Sequence, residues 1–252
     1  MTLHRSYLRP ALAGAALALT LQHAAAADVI PVTEDVMTSS FFQGPNKVRG
    51  YAAESTRAVM RVSTGNPQGT TGAETIYLSF SQDFSVYSGP VVATLTLQST
   101  EGGFGLDAGA ATPFVVSAHA VSANPLASIT DDTNPGGTIS WLDFYNHNIL
   151  AASSAARTAV TGVGTVTFDV SDIVNGWIAG ANSHQFIALT GKNDASGNDF
   201  LQGFVNNDNG GTALGVTFLT VSAVPEPGSY ALLLAGLGLV GWAARRRTAT
   251  RA

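Results

Sequence analysis

The chain has 252 residues, 45% of them hydrophobic and 12% charged, with no cysteine and a formal net charge of −5. Without cysteine there is no disulfide, no thiol nucleophile and no thiolate metal site. Residues 28–224 keep only six basic residues (Lys47, Arg49, Arg57, Arg61, Arg157 and Lys192) against 16 of the 17 acids, a formal charge of −10; such a surface repels phosphates and argues against a nucleic-acid or anionic-lipid partner.

The chain opens on a basic stretch with His4, Arg5 and Arg9, followed by an apolar Ala- and Leu-rich run from Ala11 to Leu21 and by small residues from Ala24 to Ala27. This order is that of a signal peptide over 1–27, cut by signal peptidase before Asp28, because the peptidase pocket accepts only small side chains just before the bond. A buried N-terminal helix is the competing reading. Residues 28–54 then read as an N-terminal extension or a first strand, and 55–222 as the main domain.

Within 55–222 apolar and polar residues alternate in short runs. Ile76, Leu78 and Phe80 alternate in ETIYLSF, and Val91, Ala93, Leu95 and Leu97 in VVATLTLQ. Phe114, Val116, Ala118 and Ala120 alternate in FVVSAHAV, placing His119 on the polar side, and Val166, Phe168 and Val170 alternate with Thr165, Thr167 and Asp169. A period of two marks half-buried strands. Arg57–Val62, Gln185–Thr190, Phe200–Val205 and Leu214–Val221 are further candidate strands. Turn-rich segments such as STGNPQGTTG (63–72), DDTNPGG (131–137), GKNDASGND (191–199) and NNDNGG (206–211) separate the runs. The predicted fold is all-β, a single antiparallel sandwich or jelly roll with one short helix.

That helix is predicted in FDVSDIVNGWIAG (168–180). Ser171 can cap it, Ile173 with Trp177 and Val170 with Val174 form an i,i+4 stripe, and Gly180 is placed to end it. The stripe reads as core, with Trp177 as a ligand platform the alternative. The longer stretch VTFDVSDIVNGWIAGANSHQFIAL (166–189) resembles the signature of DNRLRE-type β-sandwich domains: a strand ending in Asp-Val-Ser/Thr, a short helix carrying a Trp, and a Gly/Asn turn into the next strand. ETIYLSF and ATLTLQS resemble the opening strands of that family. The resemblance implies a β-sandwich and leaves the role open, since some members bind carbohydrate and others are appendages of unknown role.

The chain ends in VPEPGSYALLLAGLGLVGWAARRR (224–247). Pro225 and Pro227 fix φ and neither propagate a helix nor donate to a sheet, so VPEP reads as a stiff, accessible linker. The apolar run Tyr230–Ala244 is 15 residues, short against the roughly 20 of a comfortable span. Arg245, Arg246 and Arg247 hold that end in the cytoplasm. Residues 224–252 closely resemble the PEP-CTERM sorting signal of Gram-negative bacteria, in which Pro225-Glu226-Pro227, a short membrane helix and an Arg cluster follow one another. The resemblance implies recognition and cleavage by a membrane-embedded exosortase, transient anchoring in the inner membrane, and delivery outward in systems that accompany exopolysaccharide. A permanent C-terminal anchor is the alternative.

For chemistry, neither Gly-x-Ser-x-Gly nor His-Glu-x-x-His occurs. Trp141, Asp143, Tyr145 and His147 cluster in WLDFYNHN (141–148), where flat rings beside hydrogen-bonding groups suit a glycan. They equally suit a loop that pins its aromatics into the core. Asp131 with Asp132, or Asp194 with Asp199, can supply a carboxylate pair. Loop acids, including Asp208, can also hold a structural Ca²⁺, although NNDNGG lacks the full EF-hand spacing. Lys47, Arg49, Arg57 and Arg61 can meet an acidic polysaccharide or pair with Glu54 and Glu74 on strand surfaces. The expectation is a non-catalytic exported surface or matrix protein with no cofactor. A carbohydrate-binding module is the alternative, and a lyase or hydrolase follows.

Overall fold

The computed structural model describes residues 27–39, 49–51, 59–63, 74–101, 108–128, 144, 147–149, 156–192, 201–205, 217–224 and 234–242. The strands are β1 (Asp28–Pro31), β2 (Glu34–Ser39), β3 (Arg49–Tyr51), β4 (Val59–Ser63), β5 (Thr75–Ser79), β6 (Val91–Thr100), β7 (Phe114–Ala120), β8 (Ala156–Val160), β9 (Gly164–Asp169), β10 (Phe186–Lys192), β11 (Leu201–Val205) and β12 (Phe218–Ala223). A 3₁₀ turn covers Phe84–Val86, α1 is Pro125–Ser128 and α2 is Ser171–Ile178; residues 144, 147–148 and 234–242 are also helical.

Two antiparallel six-stranded sheets form a sandwich. The first is organised around β6, the longest strand. β12 pairs with β6 over Val91–Thr96 and β11 at Ser99 and Thr100, while β9 takes the other edge over Thr94–Ser99. β1 and β4 lie outside β12 and β11. The second sheet runs β3-β2-β5-β10-β7-β8. The segment read as an extension or first strand thus supplies β1 to one sheet and β2 and β3 to the other. One cluster drawn from both sheets fills the space between them, with Leu95, Leu97, Phe168, Leu219 and Phe204 facing Ile76, Leu78, Phe114, Val116 and Ile187.

The two sheets differ in what covers them. β6 alternates buried and more exposed residues along its length, as its sequence predicts. All of β5 is buried, and so are six of the seven residues of β7. The expectation of half-buried strands fails here because β5 and β7, inside the second sheet, are covered on both faces, whereas its edge strand β8 still alternates. On its outer face Tyr77, Phe186, Ala188, Val121 and Phe144 form a second apolar cluster, with Ala123, Leu126 and Ile149 packed against it. The chain beyond β7 folds back over that face, held by Ser122 N–H donating to the Asn148 carbonyl (2.9 Å) and a bridge between Val121 and Ile149. His119, on the polar side of its strand, is therefore buried, and its Nε2 lies 3.0 Å from Thr190 Oγ1.

α2 closes one end of the core. Val170, Ile173, Val174 and Trp177 are buried in the spacing the sequence predicts. The cap is different from the expected one. Asp169 Oδ1 accepts from the Ser171 N–H and hydroxyl, and Ser171 Oγ in turn accepts from the Ala93 N–H at 3.0 Å. Gly180 ends the helix at φ +69°, with Ala181 N–H reaching Gly176 O and Gly180 N–H reaching Trp177 O, the paired bonds of a Schellman motif. The Asn175 amide replaces a strand at the start of β6: its Oδ1 accepts from Val91 N–H (2.8 Å) and its Nδ2 donates to Val91 O (2.9 Å). Asn175→Ala orphans both backbone groups and is expected to lower the unfolding free energy by about 2 kcal/mol, read as a shifted midpoint in urea.

Candidate functional site

Three places bear on function: the exit from the sandwich, the 141–148 segment and a surface groove. The exit is built by β1 and β12, which pair antiparallel with Asp28 opposite Val221. β1 begins where β12 ends, so residue 27 and Val224 leave the domain at the same end. Val224 N–H donates to Pro90 O at 3.0 Å and Tyr87 donates its hydroxyl to Asp28 Oδ2 at 2.7 Å. Burial, and then the Asp28 carboxylate, push the Tyr87 phenol up to about 12. Beyond Val224, residues 234–242 are helical, and Leu234, Leu237, Leu239, Val240 and Trp242 on it are exposed. No helix among the described residues is long and apolar enough to cross a membrane. Pro225, Glu226, Pro227, Arg245, Arg246 and Arg247 lie outside the described residues, as do 1–26.

In 141–148 the described residues, Phe144, His147 and Asn148, are helical rather than in a loop; Phe144 is fully buried and meets the Tyr77 ring edge-on, with centroids 5.7 Å apart. This aromatic serves the outer cluster of the second sheet. His147 is exposed. Trp141, Asp143 and Tyr145 lie outside the described residues.

The groove has a volume of about 590 Å³ and is lined by Thr33, Glu34, Ser79, Ser81, His184 and Gln185 among others. Its walls are fixed by Thr33 N–H to Ser79 O (2.9 Å), Phe80 N–H to Gln185 O (3.1 Å) and His184 N–H to Asn182 Oδ1 (2.9 Å). Hydroxyl, carboxylate, imidazole and amide groups make it polar. Its two rings, Phe80 and Phe186, are buried, so it offers no flat face on which a sugar would stack. Three distant chain segments build it, and no local motif announced it.

The basic cluster is the clearest correction. Arg61 does pair with Glu74, but in the interior and not on a strand surface. Its guanidinium is buried and clasps Glu74, with Nη2 at 2.8 Å from Oε1 and Nε at 3.1 Å from both carboxylate oxygens. The pair ties β4 of one sheet to the lead-in of β5 in the other. Lys47, Arg57 and Glu54 lie outside the described residues, and so do Asp131, Asp132, Asp194, Asp199 and Asp208. Among the described residues no group of three or more His, Asp or Glu is placed to hold a metal ion.

Asp169, at the head of α2, has its carboxyl held below the ordinary 3.8 by its hydrogen bonds from Ser171. A depressed folded pKa stabilises the fold above the ordinary value, and that contribution is lost as pH falls through the folded value. Asp169→Asn keeps an acceptor and removes the titration. Its deficit in urea midpoint is expected to be visible at about pH 6 and to close below the folded pKa; the effect stays small because the group is solvated.

Residues 223–247 match the PEP-CTERM protein-sorting motif. The match starts at Ala223, the last residue of β12, and runs through Arg247, covering the Pro-Glu-Pro corner, the apolar stretch and the arginines. It marks the chain for export and sorting at the cell surface. No curated protein matches the chain.

Proposed function

We propose that the chain is an exosortase substrate whose acidic sandwich is delivered outside the inner membrane as a non-catalytic surface or matrix component associated with exopolysaccharide. The carrying observation is the sorting motif over 223–247. Its position supports the reading: the motif begins where the last strand ends, so a cut near Pro225-Glu226-Pro227 would leave every described strand intact. The tail then anchors the protein transiently, through Tyr230–Ala244 with Arg245–Arg247 on the cytoplasmic side, until the exosortase acts. Signal peptidase removes 1–27.

The strand, helix, buried Trp and glycine turn of 166–189 follow the order that the DNRLRE-type resemblance implies, which supports a sandwich of that kind and names no ligand. Glycan binding through Trp141, Asp143, Tyr145 and His147 rests on sequence, and the burial of Phe144 favours a packing role for part of that loop.

The test is the intact mass of the mature protein from the cell envelope and from the medium. The expected chain starts at Asp28 and ends near Pro225-Glu226-Pro227, with any added mass at the new C-terminus naming the attachment. A product that retains Arg245–Arg247 would make the tail a permanent anchor and overturn the sorting reading.

A further inference from the structure

The end of the sandwich from which both flanking segments leave carries an unusual surface. Val29, Val86, Val92 and Val224 are all exposed there. Val29 lies opposite Thr220 and Val92 opposite Ser222 on the outer face of the first sheet. Val86 precedes Tyr87, which is bonded to Asp28. Val224 is bonded to Pro90 and belongs to the matched sorting motif. Single exposed valines are ordinary, but four of them lie toward the end from which both flanking segments leave, and that placement has a geometric meaning.

The tether supplies it. Between Val224 and Tyr230, where the apolar run starts, the chain at full extension reaches about 20 Å. While that run is in the membrane, the exit end cannot stand further than this from the lipid. The segment preceding Asp28 leaves from the same end, so a second tether would pull the domain into the same pose. Asp28 and Asp83 make this end acidic, which gives no attraction to anionic lipid; the tether and the valines must supply the contact.

We propose that this end of the domain, with Val86 and Val92 foremost, rests against the headgroup–acyl boundary of the bilayer while the tail is in place. The proposal rests on the sorting-tail reading. The opposite end supplies an internal control. Val163, in the turn between β8 and β9, is as exposed as Val86 (65% against 64%), yet it adjoins Gly164, which pairs with Ser99 near the far end of β6, about 25–30 Å along the strand from Val91.

Since the chain has no cysteine, the full-length protein with Val86→Cys, Val92→Cys or Val163→Cys can be labelled with an environment-sensitive fluorophore. Each is incorporated into phosphatidylcholine vesicles containing brominated lipid. Quenching at 86 and 92 is expected to exceed that at 163 several-fold, with little change on adding salt. Equal quenching at the three positions, or greater quenching at 163, in vesicle-bound protein overturns the pose and leaves the sorting tail standing. Failure of the protein to enter vesicles removes the tail-anchor reading and the pose with it. Shielding of 86 and 92 only when a membrane peptidase is added would assign the patch to that protein and overturn the lipid contact.

Discussion

Arg61→Met is expected to cost about 3–5 kcal/mol, because it leaves the Glu74 carboxylate buried without its guanidinium. Against a total of roughly 5–15 kcal/mol for an ordinary domain this is a large fraction, and thermal unfolding is expected to drop by about 10 °C. Glu74→Gln is expected to fall in the same direction, since it leaves the cation buried. The double variant Arg61→Met/Glu74→Leu is the informative one. It removes both charges together and is expected to recover much of the single-variant loss, because desolvating an ion pair offsets most of its attraction. A cycle of chemical denaturation on the four proteins checks this. If the singles were nearly silent, the clasp would contribute no more than an exposed surface pair.

The second large effect is expected at Trp177. Its indole is nearly buried, with centroids 5.1 Å from Phe84 and 5.9 Å from Phe80. Trp177→Ala is expected to lose about 3–5 kcal/mol through the cavity it opens beneath α2. Trp177→Phe is expected to lose less, about 1–2 kcal/mol, since the indole N–H has no hydrogen-bond partner among the described residues and nothing polar is orphaned by its removal. A ligand platform would behave in the opposite way, with truncation sparing the fold and abolishing binding. Differential scanning calorimetry on the two variants separates these roles.

Some of this was legible in the chain and some was not, for physical reasons. β6 could be read because one face of its sheet meets solvent, so burial and sequence alternate together. β5, β7 and β10 misled because Tyr77, His119 and Thr190, one on each, face a layer added from elsewhere in the chain. A covered polar face and a solvated one are written with the same residues. Phe144 shows the same confusion from the covering side: an aromatic set among Asp and Asn looks like a binding loop until its partner, Tyr77, is known. The α2 stripe was legible because four residues over about two turns, Val170 to Trp177, suffice to define it. Its cap is read two residues too late, at Ser171 rather than Asp169, since both side chains are capping types and only the bond to Ala93 separates their roles. Arg61 and Glu74, 13 positions apart, carry no local sign of burial. The tail was the most legible feature because its signal is contiguous, whereas the groove draws on three separated segments.

The pairing of β1 with β12 also governs when the domain can finish folding. Ile30 finds its strand partner in Leu219, so the edge of the first sheet stays open until almost the whole chain through Ala223 has emerged. β6 waits too, first for β9, then β11, then β12. Long-range closure of this kind is slow, because loop entropy is lost before the contacts repay it. The last strand ends on Ala223, where the sorting match begins, so the first sheet cannot close until the chain has emerged up to the start of its sorting motif.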